Sequence, residues 1–239
     1  MSLWDNFLKD IDTEFKNKEN FLKGNRIRRC LHPGMDTVTA IKYLGAVNHL
    51  DFLKPDPQTG NPTYCIDKFS LVTLQSSLYL KTMLKKLELD SIDEIHDIGG
   101  GYGNMAWTLR NYGYDKKYII YDFPIMHDIQ RYWLGKQNIN VEYRSLDELD
   151  PGENSHLIGT HSINEMDLPD RDKIPFNKFK SFFIAHNKVF NEIDNMKYFK
   201  NLAEKLQHNT EHLFFGDNDG PLQSQHYWFL GIKSQRKRI

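Results

Sequence analysis

From residue 91 onward this 239-residue chain predicts an α/β fold with a largely parallel sheet, on three observations. Short apolar runs alternate with helical segments. A glycine cluster follows the first run and opens a helix. Two successive runs end on an aspartate, one strand-helix-strand unit apart.

The apolar runs are DEIHDIG (93–99), KKYIIYD (116–122), NINVEYR (138–144), SHLIGTH (155–161), KSFFIAH (180–186), EHLFFGD (211–217) and HYWFLGIK (226–233), seven candidate strands. Between the first six lie helical or turn segments at 104–113, 124–136, 146–153, 163–175 and 191–207. The last two runs are joined by NDGPLQSQ with no helix between them, which predicts an antiparallel hairpin at one edge of the sheet.

The first ninety residues read differently. Leu3, Phe7, Leu8, Ile11 and Phe15 recur at helical spacing, a second helix is predicted over 36–50, and a third over 70–89. LKPDPQTGNPTY (53–64), with its three prolines, interrupts them and marks a boundary or hinge. The expected organisation is a helical cap over 1–90 and an α/β domain over 91–239.

Composition narrows the class. With 39% hydrophobic and 13% aromatic residues the chain is an ordinary globular one, and its net charge of -1 implies no generic acidic or basic partner. The terminal KSQRKRI is too short for a nucleic-acid footprint, so no nucleic acid is expected as partner. Two cysteines, Cys30 and Cys65, form neither a disulfide framework nor a zinc spacing. No apolar run approaches the ~20 residues of a membrane span. The expectation is a soluble cytoplasmic protein, with aromatic residues in the N-terminal helices that permit a homodimer.

Gly99, Gly101 and Gly103 suit a tight turn that brings backbone close to a ligand before a helix whose first N–H groups carry partial positive charge. GYGNMA (101–106) also matches the dinucleotide pattern GxGxxA. Asp97 favours a different ligand. Beside a pyrophosphate, its carboxylate would meet repulsion on the order of 1 kcal/mol even at water-like dielectric. S-adenosylmethionine carries an ammonium and a sulfonium instead, and a carboxylate beside it is favourable. Asp122, ending the next run, suits the two ribose hydroxyls of either ligand.

Asp97-Ile98-Gly99-Gly100-Gly101-Tyr102-Gly103 resembles the first motif, D-x-G-x-G-x-G, of class I S-adenosylmethionine-dependent methyltransferases, a Rossmann-like family. Within it, DIGGGYG followed by YDFPIMHDIQRYWL is similar to bacterial sugar O-methyltransferases, and the DFP tripeptide to the DLP of O-methyltransferases acting on phenols. The resemblance implies that Asp97, Gly99, Gly101 and Gly103 hold the methionine part, Asp122 the ribose, and Phe123 the adenine face. Ser145 and Leu146 stand where many relatives carry an acidic residue for the adenine amino group. Ser145 departs from that pattern, and Asp147 would substitute only after a shift in register.

Methyl transfer to a hydroxyl needs in-line positioning and a base for the proton. Ligands of such sheets bind at the carboxyl ends of the strands, where His161 and His186 end the fourth and fifth runs. His161 is the first choice, with Glu165 one helical turn on to orient or assist it, an arrangement similar to that of phenol-type relatives. His186 and Asn187 would position substrate or cofactor, and Tyr64, Phe69 and Gln75 would line the site if the N-terminal helices fold over it. Asp217 and Asp219 in GDNDG could hold Mg²⁺, but Asp, Asn and Gly are also turn formers, and the turn is the favoured reading, with no metal.

The sequence therefore predicts an O-methyltransferase using S-adenosylmethionine on a small polar acceptor, a sugar or sugar nucleotide first. A phenol, carboxylate or amine acceptor is the alternative. A nicotinamide-dependent oxidoreductase and a non-catalytic nucleoside-binding module are the rivals from other classes.

Overall fold

The computed structural model describes residues 3–33, 36–206, 210–217 and 226–233. In chain order its elements are α1 (Leu3–Phe15), α2 (Asn25–Cys30), α3 (Thr37–Val47), α4 (Leu71–Leu84), β1 (Glu94–Ile98), α5 (Asn104–Tyr112), β2 (Lys117–Tyr121), α6 (Pro124–Lys136), β3 (Glu142–Arg144), β4 (Ser155–Thr160), α7 (Leu168–Arg171), β5 (Ser181–Asn187), β6 (Val189–Phe190), β7 (Ile193–Asp194), α8 (Asn195–Leu206), β8 (Thr210–Asp217) and β9 (His226–Lys233). The chain divides into two compact units, one drawn from Met1–Thr82, Gly100–Asp115 and Phe123–Asn140, the other from Met83–Gly99, Lys116–Asp122 and Val141–Ile239. No helix among the described residues is long and apolar enough to cross a membrane.

The sheet lies in the second unit, in the order β3-β2-β1-β4-β5-β9-β8. β3, β2, β1, β4 and β5 are parallel, β9 is antiparallel to β5, and β8 antiparallel to β9. This is the predicted mostly parallel sheet with its terminal hairpin. The chain leaves β1 for β2 on one side and reaches β4 on the other, so the strand order reverses beside β1, where open α/β sheets bind ligands. Four of the five β1 residues and five of the six β4 residues are buried, as expected for central parallel strands.

An aromatic core supports this unit. Phe176, Phe179, Phe182, Phe199 and Phe229 pack with Ile98, Leu157 and Ile184. The Phe182 ring lies 5.4 Å from Phe176 and 4.8 Å from Phe229, distances at which aromatic rings attract. Gly231 pairs across the strands with Phe182, and its missing side chain gives that ring its room.

The first unit is helical. Phe15 of α1, Phe21 and Tyr132 of α6 meet edge to face at 5.5–6.2 Å. The Glu14 carboxylate accepts the backbone N–H groups of Arg26 and Ile27 at 2.8 and 2.9 Å and so caps α2. Asp36 caps α3 by accepting the Thr39 N–H at 2.9 Å.

Three segments differ from the sequence expectation. α2 has no counterpart there, because its cap comes from Glu14, well upstream in the chain. The third run shrinks to β3, since Asn138 adopts φ +57° and residues 138–139 close α6 through a hydrogen bond from Ile139 N–H to Leu134 O. The helix expected over 191–207 begins at Asn195, because Asn191 and Glu192, both at positive φ, form a two-residue turn between β6 and β7.

A Cβ built on Gly231 falls 2.1 Å from Phe182 Cζ. Gly231→Ala should therefore displace the ring and cost about 1–3 kcal/mol, read as a lower urea midpoint at unchanged slope. An unchanged midpoint would show that the ring yields freely.

Candidate functional site

The five parallel strands bring their carboxyl ends to one edge of the second unit, and Asp97, Asp122, Ser145, His161 and His186 stand at or just beyond those ends. The sequence-predicted residues of this unit therefore share one sheet edge, with Gly99, Leu146, Glu165 and Asn187 close beside them in the chain.

Asp97, near the end of β1, is fully buried. The Tyr118 hydroxyl, on neighbouring β2, donates to its Oδ2 at 2.7 Å. Its Oδ1 has no partner among the described residues. Burial raises the carboxyl pKa to about 7, against the lowering effect of the Tyr118 bond. Such a group gains from any cation or donor brought to its bare oxygen.

Gly99 follows at φ +70°, its N–H donating to Tyr121 O at 2.8 Å. The room left by its missing side chain is filled by Ser162, whose Cβ would lie 2.4 Å from an added Cβ and whose hydroxyl donates to Ile98 O. Asp122, half-buried, continues β2 through an N–H bond to Arg144 O at 3.4 Å. Ser145 opens a 3-10 turn over Leu146–Glu148 as half of a capping box, with the Glu148 carboxylate accepting its N–H at 2.8 Å and its hydroxyl at 2.9 Å. Asp147 and Glu148 both lie in this turn, and Glu148 is turned back onto Ser145.

His161 sits just past β4 at φ +61°, a left-handed conformation that costs on the order of 1–3 kcal/mol outside glycine and collects at functional sites. Its N–H bonds Ala185 O at 2.8 Å. Glu165 ends the following 3-10 turn, and burial raises its carboxyl pKa to about 7. His186 is fully buried between the rings of Phe199 and Tyr227. Its Nδ1 lies 3.1 Å from Asn187 O, which can only accept, so Nδ1 carries the hydrogen and Nε2 keeps a lone pair with no partner among the described residues. Burial, with the Arg171 charge adding to it, lowers the His186 pKa to about 4.

Arg171, which sequence reasoning passed over, is buried and holds this segment. It donates to Met166 O at 2.8 Å, Asn164 O at 2.5 Å and Asn195 Oδ1 at 2.7 Å, with its guanidinium 5.0 Å from the Tyr198 ring centre. His96 is packed, between Tyr121 Oη at 2.8 Å and Glu94 at 3.0 Å.

The remaining glycines of the motif belong to the first unit. Gly101, at φ +58°, has nothing within 4 Å of an added Cβ, so open space lies over the turn. Gly103, at φ +103°, faces Leu134 of α6 at 2.8 Å. Gln130, also of α6, donates to Gly101 O at 2.9 Å. α5 begins at Asn104, and its first N–H groups lack helical acceptors, as an anionic or polar ligand group requires. Phe123 is 43% exposed at the start of α6. In the same unit Tyr64 bonds Gln58, Phe69 bridges to Ile66, and Gln75 donates to Tyr43 Oη at 3.4 Å. Asp217 ends β8, and positions 218–220 of the GDNDG turn, including Asp219, lie outside the described residues.

Gly99→Ala adds both a left-handed alanine and a clash with Ser162, whereas Gly101→Ala adds only the first. The Gly101 variant should lose about 1–2 kcal/mol and the Gly99 variant distinctly more, measured by urea unfolding. Asp97 binds its proton more tightly folded than unfolded, so between about pH 4 and 7 its ionisation penalises the fold increasingly. Asp97→Asn should therefore gain stability relative to the unsubstituted protein as pH rises through that window and level off above it, and a pH-independent difference would contradict the buried carboxylate.

No protein-family model and no curated protein matches this sequence. Solved structures do. A protein from Methanococcus maripaludis, described as a candidate S-adenosyl-L-methionine-dependent methyltransferase, aligns with 13% identity and a TM-score of 0.52 over 71% of this chain and 90% of its own. A Pyrococcus horikoshii protein described as a candidate RNA methyltransferase aligns with 16% identity and a TM-score of 0.47 over 85% and 100%. TrmK from M. capricolum, in complex with S-adenosyl-homocysteine, aligns with 14% identity and a TM-score of 0.46 over 65% and 67%. The likeness to the Methanococcus protein establishes that this chain has the fold of that protein, a mostly parallel α/β sheet with an antiparallel hairpin.

Proposed function

We propose that the protein is an S-adenosylmethionine-dependent methyltransferase acting on an oxygen of a small polar acceptor, a sugar or sugar nucleotide first. The observation that carries this reading is Asp97: a buried carboxylate with one bare oxygen, at the end of the central strand and at the start of a left-handed glycine turn. A dinucleotide pyrophosphate would be repelled there, and an ammonium attracted. Asp122 at the end of β2 suits the ribose hydroxyls, and the shared fold supports the same reading.

The bound cofactor would supply an electrophilic methyl on sulfonium sulfur. The chain's part is to orient the acceptor hydroxyl and take its proton as the new C–O bond forms. Of the candidates, Glu165, one turn beyond His161 at the end of β4, suits the proton, because burial raises its carboxyl to about 7 and lets it both take up and release a proton near neutral pH. His186, at about 4, is held neutral and suits accepting a hydrogen bond through Nε2 rather than holding a proton. His161 and Asn187 would orient the acceptor.

The test is S-adenosylhomocysteine release with a panel of sugars, sugar nucleotides, phenols, carboxylates, amines and an RNA transcript. Turnover should appear with a hydroxylated small acceptor and rise with pH through about 7. Glu165→Gln should lower kcat by roughly 10²-fold or more, flatten that pH profile, and leave cofactor affinity within about twofold. Turnover confined to RNA or to amines would contradict the acceptor assignment.

A further inference from the structure

Asp56, in the proline-rich break, is buried as Asp97 is, but fully engaged. Its Oδ2 accepts the Ser70 N–H at 2.6 Å, and its Oδ1 accepts the Ser70 and Thr73 hydroxyls at 2.8 and 2.7 Å. The Thr73 oxygen, its hydrogen committed to Asp56, accepts from Asn104 Nδ2 at 2.9 Å. The same amide nitrogen lies 3.2 Å from Tyr102 Oη, and the Thr73 N–H donates to Ser70 Oγ at 3.3 Å. All five side chains are buried, and all lie in the first unit.

Tyr102 and Asn104 are residues of the turn itself, on either side of Gly103. The Tyr102 ring is boxed edge to face by His32 at 5.7 Å and Trp133 at 4.9 Å. A turn with several glycines loses more conformational entropy on ordering than any other, and binding that must order it is weakened by that amount. Asp56, Ser70 and Thr73 supply the ordering in advance.

We propose that Asp56 and Thr73 are positioning residues for the cofactor turn, fixing Tyr102 and Asn104 so that the glycine backbone and the first turn of α5 are held ready for ligand. This rests on the reading of the turn as the cofactor site. It gives the segment after the proline break a role in cofactor binding in addition to any role in acceptor choice.

The test compares the unsubstituted protein with Thr73→Val, Thr73→Ser and Asp56→Asn, by hydrogen exchange of amides 101–106 and by calorimetric titration with S-adenosylhomocysteine. Thr73→Val should speed exchange at those amides about tenfold and weaken binding about tenfold, with β1 and β4 protection unchanged. Thr73→Ser, which keeps the hydroxyl, should restore both. Should Thr73→Val not fold, Asp56→Asn carries the same expectation. Unchanged exchange at 101–106 in the folded variants overturns the proposal. Absence of binding by the unsubstituted protein would instead contradict the cofactor reading, while exchange alone still decides whether Asp56 and Thr73 order the turn.

Discussion

Three of the five residues from Gly99 to Gly103 take positive φ, and the chain's passage from β1 to α5 depends on that constraint. Only glycine adopts such a run without strain at each step. Gly99 makes room for Ser162, which ties the segment after β4 to the end of β1 through Ile98. Gly103 makes room for Leu134, so α6 can pack at the start of α5. Among the described residues nothing lies within 4 Å of a Cβ added at Gly101, so the backbone of the turn is open to approach there.

The two buried aspartates differ in how their oxygens are matched. Asp56 accepts three hydrogen bonds from Ser70 and Thr73, and its charge is spread over donors supplied by its own unit. Asp97 has the Tyr118 hydroxyl and an oxygen with no partner among the described residues. Leaving a buried polar atom unmatched costs on the order of 1–3 kcal/mol, more for a charged group, and the unmatched Asp97 oxygen is the feature on which the cofactor proposal rests. Burial acts in opposite directions on two other groups, raising the Glu165 carboxyl to about 7 and lowering the His186 imidazole to about 4.

The sheet was legible because its strands are continuous apolar runs between helices, and the hairpin because no helix fits between the last two runs. Asp97, Asp122, His161 and His186 were placed at strand ends by the same count. What escaped the sequence depends on partners far along the chain. Tyr118 reads as an ordinary strand residue until β2 folds against β1 and brings its hydroxyl to Asp97, and nothing local marks Arg171, whose partners Met166, Asn164 and Asn195 are set by folding. The capping box of Ser145 and Glu148 was a local signal, present in the S-x-x-E spacing of residues 145–148. Asn191 likewise signalled a turn inside a segment read as helix. The tie from Asp56 through Thr73 to Asn104 starts inside the proline break, and no periodicity announces it.

The proposed role of Asp97 and Asp122 is to serve a cationic, phosphate-free nucleoside ligand. Calorimetric titration with S-adenosylmethionine and, separately, NADH tests it most directly, repeated on Asp97→Ala and Asp122→Ala. Micromolar binding of S-adenosylmethionine, lost in both variants and absent for NADH, is the predicted result. Binding of NADH in its place, or S-adenosylmethionine binding indifferent to both aspartates, would contradict the account.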